Sequence, residues 1–79
     1  MRRSRLDIRL GRNLKIGQEW RGPTGARWRV RQVHRYDCHV DFEAVHLTNA
    51  RGRPLRETVS FEDIRKSWEL LVPATELAA

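Results

Sequence analysis

Arg27, Arg29 and Arg31 alternate with the apolar Trp28 and Val30. On an extended chain successive side chains leave opposite faces. Three guanidinium groups therefore emerge together, about 6.6–7 Å apart, while Trp28 and Val30 turn inward. Each guanidinium is a planar fork of five donors that matches phosphate or carboxylate and stacks on flat rings. A row of them along a strand can follow a phosphate backbone, releasing a counterion for each phosphate neutralised. Arg21 and Arg35 bracket the row. Arg2, Arg3, Arg5, Arg9 and Arg12 reach the same side if the segment that carries them pairs nearby. The competing partners are Asp41 and Glu43, which alternate with Val40 and Phe42 and would lie opposite the row in an antiparallel pair. Such cross-strand ion pairs contribute a few tenths to ~1 kcal/mol each. Two acids do not neutralise five arginines, so a net positive face is expected.

The aromatic residues are the other groups with a role at a nucleic acid, because bases stack on exposed rings inside a basic groove. Trp28 and Trp68 share the alternation of Val30 and Leu70 and belong to the core, whereas Trp20 precedes a turn. Tyr36, at a strand end before Asp37, and Phe61, after the fourth strand, are the candidates for a surface platform, against the alternative of burial in a small core. His34, Cys38, His39 and His46 are metal-ligand types, but their spacing matches no common zinc pattern, and no metal is expected. Cys38 beside His39 has the composition of a thiol nucleophile and its base. Neighbours on an extended chain point apart, and no oxyanion-binding element accompanies them. Cys38 reads as a small hydrophobe, and neither catalysis nor a cofactor is expected.

These residues sit on short elements separated by turn residues. Leu14 to Arg21 is an expected first strand, with Gly17 as a bend. Gly22-Pro23-Thr24-Gly25 is a turn, and Ala26 to Tyr36 is the clearest strand. Val33 lies three residues beyond Val30, a slip in alternation that predicts a β-bulge near Arg31–Gln32. Asp37 and Cys38 turn the chain. Val40, Phe42 and Ala44 alternate, and Val45 and Leu47 restart out of phase, implying a second bulge. After the loop at 49–54, Leu55 to Ser60 forms a fourth strand. Ser60, with Asp63 three residues on, caps one helical turn containing Ile64. Trp68, Leu70 and Leu71 make the closing strand. Ahead of this body, residues 1–13 form a basic segment in which Leu6, Ile8 and Leu10 alternate with Arg5, Asp7 and Arg9. That period suits an extra strand or a loose arm. Leu6, Leu10 and Leu14 would equally suit a short helix, interrupted by Gly11 and Asn13. Residues 73–79 read as a frayed, disordered tail.

The 79 residues make one domain with a compact core, and with a single cysteine there is no internal disulfide, which fits a reducing, cytoplasmic setting. No apolar run approaches the ~20 residues of a membrane span, and no apolar stretch follows the basic start as a secretory signal would require. Charge is divided unevenly. Residues 1–36 hold eleven Lys or Arg against two acids, a net of +9, whereas residues 37–79 hold five against eight, a net of −3. Fourteen of the cations are Arg. A concentrated basic half points to a polyanionic partner.

The pattern Gly17-x-x-Trp20, Gly25-x-x-Trp28-x-Val30-x-x-Val33, Val45-x-Leu47, Gly52, Val59-Ser60 and Ile64-x-x-x-Trp68-x-Leu70 covers residues 14–72. It resembles the SH3-like small β-barrels, the group that includes KOW and Tudor modules and many small bacterial and phage proteins. The resemblance implies a mainly β chain, a five-stranded barrel with one short helical turn before the last strand. It speaks to fold rather than function. In size and architecture the chain also resembles the plasmid-borne dihydrofolate reductases built from four SH3-like chains. Their pore relies on a Val-Gln-Ile-Tyr stretch, and Thr58-Val59-Ser60-Phe61 here lacks the Gln and the Tyr, which argues against that activity. The expectation is a cytoplasmic barrel that binds DNA or RNA, with Arg27, Arg29, Arg31, Arg21, Arg35, Arg9, Arg12 and Tyr36 as the binding residues. The alternative is a protein-interaction module, an adaptor or a phage- or plasmid-encoded inhibitor, whose Arg face meets an acidic partner. Edge pairing would allow a homodimer.

Overall fold

The structure, a computed structural model, describes residues 5–72. Its elements run α1 (Arg5–Asn13), β1 (Glu19–Arg21), β2 (Arg27–His34), β3 (His39–Thr48), β4 (Pro54–Ser60), α2 (Phe61–Ser67) and β5 (Glu69–Val72). The five strands form one antiparallel sheet in the order β4-β3-β2-β1-β5. The expected mainly β chain is present, but no β4–β5 pairing closes the sheet into a barrel. The expected tail at 73–79 and the arginines Arg2 and Arg3 lie outside the described residues. Among those described, no helix is long and apolar enough to cross a membrane.

Alternation decides which face of the sheet is buried. Trp20 and Trp28 are register partners, Trp28 faces Ala44, and Val30 faces Phe42, all of them buried. The register slips between Val30 and Gln32, where the sequence places a bulge. A second slip falls between Glu43 and Thr48 in the β3–β4 pair, matching the restart at Val45. The first strand is shorter than expected. Only Glu19–Arg21 is regular, although Gly17 N–H donates to Val30 O and Val30 N–H to Gln18 O. The segment between α1 and β1 is held by Gln18, itself buried. Its side-chain oxygen accepts from Lys15 N–H, and its amide nitrogen donates to Asn13 O.

Ser60 caps α2 as its spacing with Asp63 implies, accepting from Asp63 N–H at 3.2 Å. The helix runs for seven residues rather than one turn. Glu62 and Asp63 lie in its first turn, and Arg65 and Lys66 in its last, which complements the helix dipole. Phe61 and Ile64, three apart, are buried. Phe61 was a candidate surface platform, and it is instead one of the most enclosed side chains. The cap turns the chain so that the first helical residue points under the sheet. Trp68 ends the helix and stacks on Phe42, with ring centroids 4.5 Å apart.

Residues 5–13 form neither a strand nor a loose arm but a helix, and Gly11 is part of its contact surface rather than an interruption. A Cβ at Gly11 would lie 3.2 Å from Phe61 Cε2, so the missing side chain lets the helix backbone approach the ring. Two further contacts fasten α1. Asp7 pairs with Arg65 of α2 at 2.9 Å. Arg35 Nε donates to Gly11 O at 2.9 Å, and its Nη2 donates to Leu14 O, so a cation covers carbonyls at the helix C-terminus.

Phe61 thus joins the sheet, α2 and α1 through one ring. Phe61→Ala should lower the unfolding free energy by about 3–5 kcal/mol, measured by chemical denaturation. A loss below 1 kcal/mol would show that the ring does not carry this junction.

Candidate nucleic-acid interface

The three ladder arginines emerge on one face of β2, as their alternation requires, with side chains 42, 48 and 49% exposed for Arg27, Arg29 and Arg31. They are not unmatched. Arg27 donates to Glu19 at 2.8 Å, Arg29 reaches the other oxygen of Glu19 at 3.5 Å, and Arg31 donates to Glu43 at 3.1 Å. Arg21 meets Glu69 at 3.5 Å, and Arg56 meets Glu43 at 3.8 Å. The outer face of the sheet is therefore a lattice of alternating sign rather than a positive strip. Glu19 makes the difference. Its carboxylate is mostly buried between two guanidinium groups, where sequence alternation alone points only to Asp41 and Glu43. Counting outward from the Gly22–Gly25 turn would have found it, since that hairpin sets Glu19 opposite Arg29. Asp41 does not join the lattice, because the bulge sets it opposite Gln32.

Arg9 and Arg12, expected on an extra strand or arm, lie on α1. With Arg5 they occupy positions i, i+4 and i+7, which share one helix face. The opposite face, with Gly11 buried and Asp7 and Leu10 half-buried, is the docked one, so the arginine face looks to solvent. Among the described residues none of these three guanidinium groups has a carboxylate partner. The basic surface continues past the helix end. Arg12 and Arg35 line one surface hollow, and Lys15 and Arg35 line the next. Arg35 is engaged in holding the helix carbonyls, so its charge contributes to the patch while its donors are partly committed. Tyr36 follows it in the β2–β3 turn and is 88% exposed, the aromatic side chain left at the surface among the described residues.

The expected binding residues thus separate into two groups. Arg21, Arg27, Arg29 and Arg31 belong to the paired lattice. Arg9, Arg12, Arg35 and Tyr36 gather around the C-terminal half of α1 and the β2–β3 turn, joined by Arg5, named above with the basic segment but not among the expected binding residues, and by Lys15, which the sequence did not single out. The signal for Arg5 was the i, i+4, i+7 spacing itself.

The β2–β3 pairing also gathers side chains with metal-ligating atoms. His34 and His39 are register partners, their rings 4.4 Å apart, and His34 Nε2 lies 2.8 Å from Asp41 Oδ2. The hydrogen bond with His34 holds the Asp41 carboxyl below its ordinary value against partial desolvation, and the Thr58 hydroxyl, donating to Oδ1 at 2.9 Å, adds to the effect. Cys38 is not in this group. Its thiol faces Arg35 O, and its backbone adopts a left-handed conformation at φ 55°.

Comparisons with protein-family models, with curated proteins and with solved structures gave no significant match.

If Glu19 neutralises the ladder, Glu19→Gln should cost on the order of 1 kcal/mol in low salt, with the loss shrinking at high ionic strength as screening weakens the pairs. Denaturation at two salt concentrations measures both. A salt-independent change would assign the effect to packing instead.

Proposed function

We propose that this chain is a small nucleic-acid-binding protein of SH3-like layout. In this reading the outward face of α1, rather than the sheet ladder, makes the principal phosphate contacts. The carrying observation is the stripe Arg5, Arg9 and Arg12, free of carboxylate partners among the described residues and opposite the docked face of its helix. At 1.5 Å per residue the stripe is about 10 Å long, roughly three axial steps of one nucleic-acid strand at 3.4 Å. Arginine suits this role because its fork engages a phosphate through two donors at once. Lys15 and Arg35 extend the positive surface toward Tyr36, whose exposed ring offers a base a stacking surface. The strand order, with a capped helix between β4 and β5, supports the SH3-like layout of the reading.

The lattice on the sheet plays a lesser part. Its pairs are half-solvated and individually weak, but three carboxylates set among five arginines lower that face from +5 to a net of +2. A polyanion approaching it meets a reduced field from guanidinium groups whose donors are already shared with carboxylates. Edge-to-edge pairing with a second copy is also disfavoured. The outer edge of β4 carries Pro54, Arg56 and Glu57, residue types that discourage strand addition, and β5 is only four residues long.

Fluorescence anisotropy with duplex DNA, single-stranded DNA and RNA tests the reading. Binding should fall with salt at a log–log slope near −3, for about three phosphates. Arg9→Ala should reduce that slope by about 1 and weaken binding to all sequences alike, while Arg29→Ala should leave it nearly unchanged. Absence of affinity for all three at low salt would end the proposal, and a larger effect of Arg29 than of Arg9 would return the interface to the sheet.

A further inference from the structure

We propose that His34, His39 and Asp41 form a binding site for a divalent first-row transition cation of the Zn2+ class. The three residues come from facing strands of one hairpin. The β2–β3 register sets His34 directly opposite His39, and Asp41 follows His39 by two residues, on the same face of β3. One ligand atom from each of the three lies within 4.8 Å of the others. A cation bound to nitrogen and oxygen at about 2.0–2.2 Å draws such atoms together by modest side-chain rotations, without moving either strand.

The chemistry of the set selects the class of ion. Two imidazoles and one carboxylate suit zinc and its neighbours, whereas magnesium and calcium favour shells built from oxygen. The carboxylate is already oriented. Thr58 Oγ1 donates to Asp41 Oδ1 at 2.9 Å, which leaves Oδ2 directed at His34. A hydrogen bond from a neighbouring hydroxyl of this kind commonly fixes a ligating carboxylate. The His34 Nε2–Asp41 Oδ2 contact at 2.8 Å already brings two of the ligand atoms to hydrogen-bond distance, and the cation would replace that hydrogen bond. His39 adds the third ligand from the position across the strand pair, where its ring already lies against that of His34. All three side chains are half-buried, so water reaches the remaining coordination position. Three protein ligands with one open position is also the arrangement that catalytic zinc sites use.

The inference is independent of nucleic-acid binding, because it uses a different set of side chains. It is tested on the Cys38→Ser protein without an affinity tag, so that no thiol competes for the ion. Isothermal titration with Zn2+ should show one ion per chain. Nitrogen-correlated spectra of the imidazoles should move for His34 and His39 but not for His46. Co2+ should give visible absorption bands with nitrogen and oxygen ligation. His39→Ala leaves the His34–Asp41 hydrogen bond in place and should weaken Zn2+ binding at least about tenfold, while His46→Ala should have no effect. Mg2+ at the same concentration should leave the spectra unchanged. The proposal is overturned if Zn2+ does not bind at millimolar concentration, if His39→Ala binds as well as its parent, or if the perturbed resonances lie away from these residues. Retained dispersion in the amide spectrum of His39→Ala confirms that the variant tested is folded.

Discussion

Trp28 faces Ala44 and Val30 faces Phe42 because β2 and β3 pair in a single register, and the single slip in that register sets the chemistry of the surface. In a sheet, moving the pairing by one residue sends every side chain to the other face. Had the alternation continued unbroken from Val30, His34 would share the core face and Val33 would be outside. The bulge at Arg31 reverses this. Val33 returns to pack against the core, Gln32 sits opposite Asp41, and His34 emerges opposite His39. One extra residue in a strand thereby separates the arginine ladder from the histidine cluster. It also removes Asp41 from the carboxylates available to the arginines.

The first helix depends on the same framework at one remove. A helix of nine residues is too short to be stable alone, and its docked face offers little beyond Leu10, Leu14 and a glycine. The close approach at Gly11, the Asp7–Arg65 pair and the Arg35 cap supply what the apolar contact lacks. Arg35 does so from the first position past the end of β2, beyond the bulge that resets the phase of that strand. The surface that faces solvent on α1 is therefore positioned by contacts made on its opposite side.

Charge on this protein is organised by what lies within reach of each cation. Arginines on the sheet have carboxylates one strand away, because cross-strand neighbours stand about 4.5–5.5 Å apart. Those on the outward face of α1 have no strand beside them, and the nearest acid of their own helix, Asp7, is turned inward to Arg65. Two sets of the same residue type, of similar local density in sequence, consequently differ in the field they project. The first is reduced by three interleaved carboxylates, and the second keeps its full charge.

Alternation, turn residues and the cap at Ser60 were local, and the chain alone specified them: β2 and its bulge, the break after Ala44, the turn at Gly22–Gly25 and the start of α2 are all visible in the residues. The inward Trp28 was likewise legible from spacing, whereas Trp68 packs half-buried as the C-cap of α2, ahead of β5, and Leu70, whose alternation it was expected to share, is exposed. Three things were not. Segment 5–13 carries both a period of two and a period near four, and partners distant in sequence decide for the helix: the ring of Phe61, which accepts Gly11 against it, with Arg65 and Arg35. The engagement of Glu43 by Arg56 as well as Arg31 depends on which strand lies on the far side of β3, a property of sheet order. The meeting of His34, His39 and Asp41 depends on the exact register across a turn. Local patterns act over a few residues through backbone geometry, whereas side-chain charge and ligation act through space, so their partners are chosen only when the strands come together.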